Sequence, residues 1–485
     1  MYSSSVKYNM DREFIYENYA SIRKENDPVY GVGSAEDVVI TPVTYDELNY
    51  ILNADGRHIF LFGGTWSEKT QEVIGRINCF AVKHGISCIY NFDFSADGEG
   101  EDTSIKADLR EQESYDGPGK KTPKKCAPYN YEYGEIVSRN LTDLGSWTDD
   151  EIIYLDLYYD AVKVPLLHEP FLVLYDKDDP MGPIIYAVDP DRMTDDQIEN
   201  LFSIAESYGG VTPYTHQDYM YDAFKINERG HAFKTEDAFK KGEQINITPV
   251  TLQELRWILS QEGSFMVLFA GAWCANSQAC IATVNDYAVA NDLRIYMIDI
   301  RIDGKYPIDF WGYPRARELR LNNPAFTKSY LDLWERCLPG APILCKVSMD
   351  TPGKSFNPYI MDDEGNELAV LNVDVPYLLA VNKDRLSGRG TRMPVLAACN
   401  HDGFELINCK NSFIYYKPNY RKYTAGVYFV VNAYCESLGI EPKDISINRE
   451  APLVDGEPVK NPNISGEVKY FKEHDWYKEM PLLKD

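Results

Sequence analysis

Residues 265–280 read FMVLFAGAWCANSQAC. The first five, Phe265–Phe269, are apolar without a break, as a strand covered on both faces requires. Small residues follow, then Trp273-Cys274, then residues able to enter a helix. Cys274 therefore sits at a strand's exit and a helix's first turn. Unpaired amides and the helix dipole favour a thiolate at such a place. Three residues on, where a second thiol would complete a Cys-x-x-Cys pair, the chain carries Ser277.

Outward from this stretch, the chain repeats itself, and a repeat decides the domain plan before any local feature does. ITPVT occupies 40–44 and again 247–251, each followed by Glu-Leu at 47–48 and 254–255. The same spacing of 207 residues links Phe62 with Phe269, Trp66 with Trp273, Gln71 with Gln278 and Asn78 with Asn285. Each copy opens with a short strand and then Thr-x-x-Glu (Thr44…Glu47, Thr251…Glu254), a capping box that starts a helix. A buried strand, a helix to about Lys83 or Ala290, and another strand come next. The order β-α-β-α-β implies parallel pairing.

A strand followed by Trp-Cys-x-x resembles the active-site segment of the thioredoxin superfamily. The resemblance implies an α/β fold with two tandem thioredoxin-like domains, each a mixed central sheet flanked by helices. The resemblance is to degenerate or monothiol proteins of the disulfide-isomerase kind. It also implies a cis-proline before a later strand, and the candidates are Pro170 in HEPFLVLY and Pro342 in GAPILCKV. The first copy should close with PIIYAVD (183–189) and a helix near 194–208, the second with FIYYK (413–417) and a helix near 424–438. The expected boundaries are an N-terminal helical arm 1–38, a first domain 39–210 with a loop insertion at 97–128, a linker and arm 211–245, a second domain 246–442 with an insertion at 364–411, and a C-terminal extension 443–485. The arms match each other, FIYENYASI (14–22) against YMYDAFKIN (219–227).

Bulk composition narrows the functions. The chain has 485 residues, 49 Lys+Arg against 75 Asp+Glu, and a formal charge of −26. That argues against nucleic acid and anionic membrane as partners. No run reaches the ~20 apolar residues of a membrane span. The opening MYSSSVKYNMDREF has no apolar signal region. This reads as cytoplasmic if Met1 is the native start, and as extracytoplasmic or cell-envelope if the chain is a processed form. The ten cysteines and seven histidines fall in no Cys-x-x-Cys or zinc-type spacing, so no metal or other cofactor is expected.

Cys274, with Trp273, Ser277 and Pro342, is the site candidate of the second copy. In the first copy the matching site is degenerate, with Trp66, Ser67, Thr70 and Pro170 and no thiol. Cys280 does not rescue the chemistry. Residues six apart on one helix rise about 9 Å, whereas a disulfide needs Cα atoms within about 7 Å. Cys280 and Cys345 read as core, and Cys126 in KKTPKKCAP as a loop thiol. Two functions remain open. One is a scaffold mediating protein binding or self-association. The other is a monothiol thiol–disulfide oxidoreductase or thiol-dependent chaperone acting through Cys274, which would need an external thiol for release.

Overall fold

The computed structural model describes residues 10–94, 129–155, 161–225, 238–261, 263–272, 275–299, 377–382, 395–399 and 425–443, with short pieces at 360–361, 367–368, 453–454 and 457–458. Helix α1 (Met10–Asn18) precedes β1 (Ile40–Pro42), α2 (Tyr45–Leu52), β2 (Arg57–Phe62), α3 (Glu68–Lys83) and β3 (Ile89–Phe92). Then come α4 (Tyr129–Asn140), the hairpin β4 (Glu151–Leu155) and β5 (Ala161–Pro165), β6 (Phe171–Asp176), β7 (Ile184–Val188) and α5 (Asp195–Ser207). The second half runs α6 (His216–Ala223), β8 (Ile247–Pro249), α7 (Leu252–Ser260), β9 (Ser264–Phe269), α8 (Ala275–Ala290) and β10 (Ile295–Ile298). After a short pair, β11 (Ile360–Met361) and β12 (Glu367–Leu368), it ends with β13 (Tyr377–Asn382), β14 (Val395–Cys399) and α9 (Ala425–Ser437).

The fold is mixed α/β, and its two five-stranded sheets follow one plan. The first has the order β1-β3-β2-β6-β7, with β1, β3 and β2 parallel and β6 and β7 antiparallel. The second has β8-β10-β9-β13-β14 with the same senses. Helix α3 packs against α5, and α8 against α9. Central strands are buried along their length, as the unbroken apolar runs at 59–62 and 265–269 require. Among the described residues no helix is long and apolar enough to cross a membrane.

The repeated polar residues have repeated jobs. Asn78 accepts from the Val39 amide at 2.9 Å and donates to the Asp37 carbonyl at 3.2 Å. Asn285 does the same for the Asn246 amide (2.8 Å) and the Gln244 carbonyl (2.9 Å). Each pins the entry of the first strand of its sheet. Gln71 and Gln278 each donate to a carbonyl six residues back, on Thr65 and Ala272. Thr44–Glu47 and Thr251–Glu254 both close as capping boxes.

In the second sheet the strand beside β9 is Tyr377–Asn382 and the strand beyond it is Val395–Cys399. Both lie inside 364–411, the stretch read as an insertion. The YLLAV that begins β13 is apolar throughout and Leu378–Val381 are fully buried, as a strand between two others requires. Residues 342–347, 413–417 and the loop 97–128 lie outside the described residues. The helices expected near 194–208 and 424–438 are α5 and α9.

The arms cross. Phe14 of α1 packs edge-on against Trp257 of α7, centroids 5.9 Å apart and planes at 74°. Tyr219 of α6 packs edge-on against Tyr50 of α2 at 5.4 Å and 77°. Tyr50 and Trp257 are 207 residues apart, and Phe14 and Tyr219 are partners in the arm match. Each arm thus lays its aromatic ring on the capping-box helix of the opposite half.

Candidate functional site

An open cleft of ≈ 960 Å³ lies where β2 hands over to α3. Trp66 and Ser67 form one wall. The 166–169 segment and Phe171 form another, with residues 146–150 and 189–192 closing the rim. Ser67 is the N-cap of α3, and its hydroxyl accepts from the Thr70 amide at 3.2 Å. That hydroxyl is committed to the helix end, as N-cap chemistry demands. Thr70 is fully buried. Neither residue presents a nucleophile.

Trp66 is held in place and still 42% exposed, enough to offer a ring face to a ligand. Its Nε1 donates to the Asp93 carboxylate at 3.1 Å, and Gln253 Nε2 donates to the same carboxylate at 2.8 Å. Gly64 allows this: a Cβ there would lie 2.2 Å from Asp93 Oδ2 and 2.3 Å from Trp66 Nε1. Opposite, the Glu169–Pro170 bond is cis and Pro170 is buried.

Elements that the sequence reading did not anticipate shape the rest. Tyr133 of α4 donates to the Pro165 carbonyl at 2.8 Å and accepts from the Leu167 amide at 2.6 Å. It ties the hairpin's exit to the turn that carries Pro170. Burial pushes the Tyr133 phenol well above its ordinary pKa, so it stays a neutral donor. Trp147 stacks edge-on against Tyr186, centroids 5.8 Å apart. His168 Nε2 lies 2.6 Å from Asp150 Oδ2. Arg192 and Asp189 pair at 3.4 Å. Among the described residues of the rim, Asp149, Asp150, Glu169, Asp189 and Asp191 outnumber Lys69 and Arg192. The signal that could have found His168 and Glu169 was their place directly before Pro170.

In the second half, Ser277 is fully buried, and its hydroxyl accepts from the Gly271 amide at 3.4 Å. Helix α8 starts at Ala275, the residue after Cys274. Trp273, Cys274 and Pro342 themselves lie outside the described residues. By strand pairing, Phe62 faces Phe171 and Phe269 faces Tyr377. Pro376 immediately precedes β13 in the sequence, as Pro170 precedes β6. Burial raises the thiols of Cys79, Cys88 and Cys435 above their ordinary pKa, which makes them poor nucleophiles. Among the described residues no group of three or more His, Cys, Asp or Glu could hold a metal ion.

No protein-family model matches this chain, and no curated protein matches it either.

Proposed function

We propose that the chain is a binding scaffold of two tandem thioredoxin-like units, and that the cleft of the first captures an extended segment of a protein partner or of a second copy. The observation that carries this is the cleft itself. It gathers Trp66, Ser67 and the turn at Pro170, and among the described residues that line it none is a cysteine. The tandem reading is supported by the identical strand order and sense of the two sheets. Trp66 and Trp147 supply large apolar faces with polar edges, the residue type that dominates binding surfaces. The carboxylate excess at the rim favours segments carrying Lys or Arg.

The test is a panel of extended peptides, Lys/Arg-rich against Glu-rich, titrated into the whole chain with tryptophan emission as readout. Basic peptides should bind and weaken with salt, and Trp66→Ala should lose at least tenfold in affinity. A panel with no binder, or binding untouched by Trp66→Ala, refutes the reading.

A second reading is favoured by the start of α8 directly after Cys274, where helix amides favour a thiolate. Cys274 would then form mixed disulfides released by an external thiol. The pH dependence of its alkylation, with Cys274→Ser as the blank, decides. Titration near 8.5, the value of an ordinary thiol, removes this reading.

A further inference from the structure

The crossed arms bring a buried cluster of ionisable groups between the two halves, and we propose that it is a proton-gated clasp that also holds the Trp66 loop. His216, the first residue of α6, reaches Glu47 through Nδ1 and Asp11 Oδ2 through Nε2 at 3.0 Å. The other oxygen of Glu47 closes its capping box, accepting from the Thr44 amide at 2.8 Å. Asp11 and His216 stand 205 residues apart, the spacing of Phe14 and Tyr219, and Glu47 and Glu254 are repeat partners. So the second arm brings a histidine to a capping glutamate. The first arm brings an aspartate towards the other one.

That second encounter sets acid against acid. Asp11, Glu47 and Glu254 are 8%, 2% and 2% exposed. Glu254 Oε2 accepts from the Thr251 amide at 2.7 Å, while its Oε1 and Asp11 Oδ1 are buried without a hydrogen-bond partner. One imidazolium cannot balance three buried carboxylates, and Asp46, also buried, adds a fourth beside them. A proton on Glu254 relieves the conflict. Burial and the Asp11 charge push Glu254 up to about 8. Burial opposes charge on His216, but Glu47 and Asp11 outweigh it and raise its pKa. Among the described residues Tyr19, Tyr219, Tyr296 and Cys88 also face the cluster, each raised by burial and neutral over the same range, with Asp299 near Tyr219, Arg294 near Tyr296 and Arg12 near Cys88 as the charges beyond them.

The next residue carries the state of the clasp to the cleft. Gln253 Nε2 holds Asp93 at 2.8 Å and its Oε1 accepts from Thr65 Oγ1 at 3.3 Å, and Asp93 holds Trp66. Loosening α7 therefore frees the Trp66 loop. The functional meaning of that step rests on the cleft reading above; the clasp itself does not.

The sign follows from linkage. Glu254 binds its proton more tightly in the closed state, so its contribution is complete below the ordinary glutamate pKa of 4.5 and is lost as pH rises to about 8. His216 acts in the same direction from 6.5 upward. The experiment is amide hydrogen exchange on the whole chain, expressed as protection factors for α1 and α7, from about pH 5 to about pH 7.5. Glu254→Gln, which preserves the cap, should make the decline with pH shallower by up to tenfold per unit, the effect of one linked proton. Asp11→Asn should also make it shallower, because Glu254 loses its like-charged neighbour. Profiles parallel to wild type in both variants overturn the clasp. The emission difference between wild type and Trp66→Phe should follow the same pH curve, and its invariance removes the link to Trp66. No peptide is used, so a cleft that binds nothing leaves these outcomes readable.

Discussion

Asn78→Ala and Asn285→Ala should cost their own halves of the molecule nearly the same free energy. Each side chain is buried, 0% and 1% exposed, and each serves two main-chain groups. The inner one is an amide entering a strand, Val39 or Asn246. The outer one is a carbonyl on an exposed residue, Asp37 or Gln244. Leaving the inner amide unpaired costs about 1–3 kcal/mol, while the outer carbonyl can turn to water and loses about 1 kcal/mol. The total is about 2–4 kcal/mol per substitution. Amide exchange reports each half separately: peptides spanning 40–42 read the first sheet and 247–249 the second. A loss of about 2–4 kcal/mol corresponds to roughly 30- to 700-fold less protection, since 1.4 kcal/mol is a factor of ten. Comparable losses, each confined to its own sheet, support one module used twice. A large loss in one sheet with less than about threefold in the other refutes the equivalence argued from these hydrogen bonds.

Thr44→Ala and Thr251→Ala each remove the side-chain half of a capping box and should cost about 1 kcal/mol, read as a shift in the urea midpoint. In Thr251→Ala the loss should also reach the Trp66 emission, because α7 carries Gln253. Cys88 and Cys435 should alkylate more slowly in the native chain than in the unfolded one near pH 7.5, since burial raises their thiols; peptide mass spectrometry checks this, and equal rates contradict it. Pro376→Ala should lower exchange protection of β13 more than Pro342→Ala does, since Pro376 immediately precedes that strand.

What the sequence made legible was local. The capping boxes, the paired Asn and Gln, and the apolar runs at 59–62 and 265–269 each announce themselves within a few residues, and their 207-residue spacing tied the halves together. The first sheet followed from them completely, down to its closing strand and helix. The second sheet's last strands did not, because several apolar runs compete between 300 and 420. Choosing among them depends on pairing with β9, a contact across more than a hundred residues. The cleft was half legible. Trp66, Ser67 and Pro170 were named, but Trp147, His168 and Tyr133 arrive through a hairpin and helix that carry no motif. The clasp left only the faint match of the two arms. Whether Asp11 meets a partner or a rival is a tertiary fact.

The most direct test of the central claim compares two variants in one binding assay. On the proposed function the cleft at Trp66 does the binding and no thiol is needed. Cys274→Ser should therefore hold a captured basic peptide as tightly as wild type under reducing and oxidising conditions alike, while Trp66→Ala lets it go. Capture that vanishes in Cys274→Ser, or under reductant, and survives in Trp66→Ala would contradict the account.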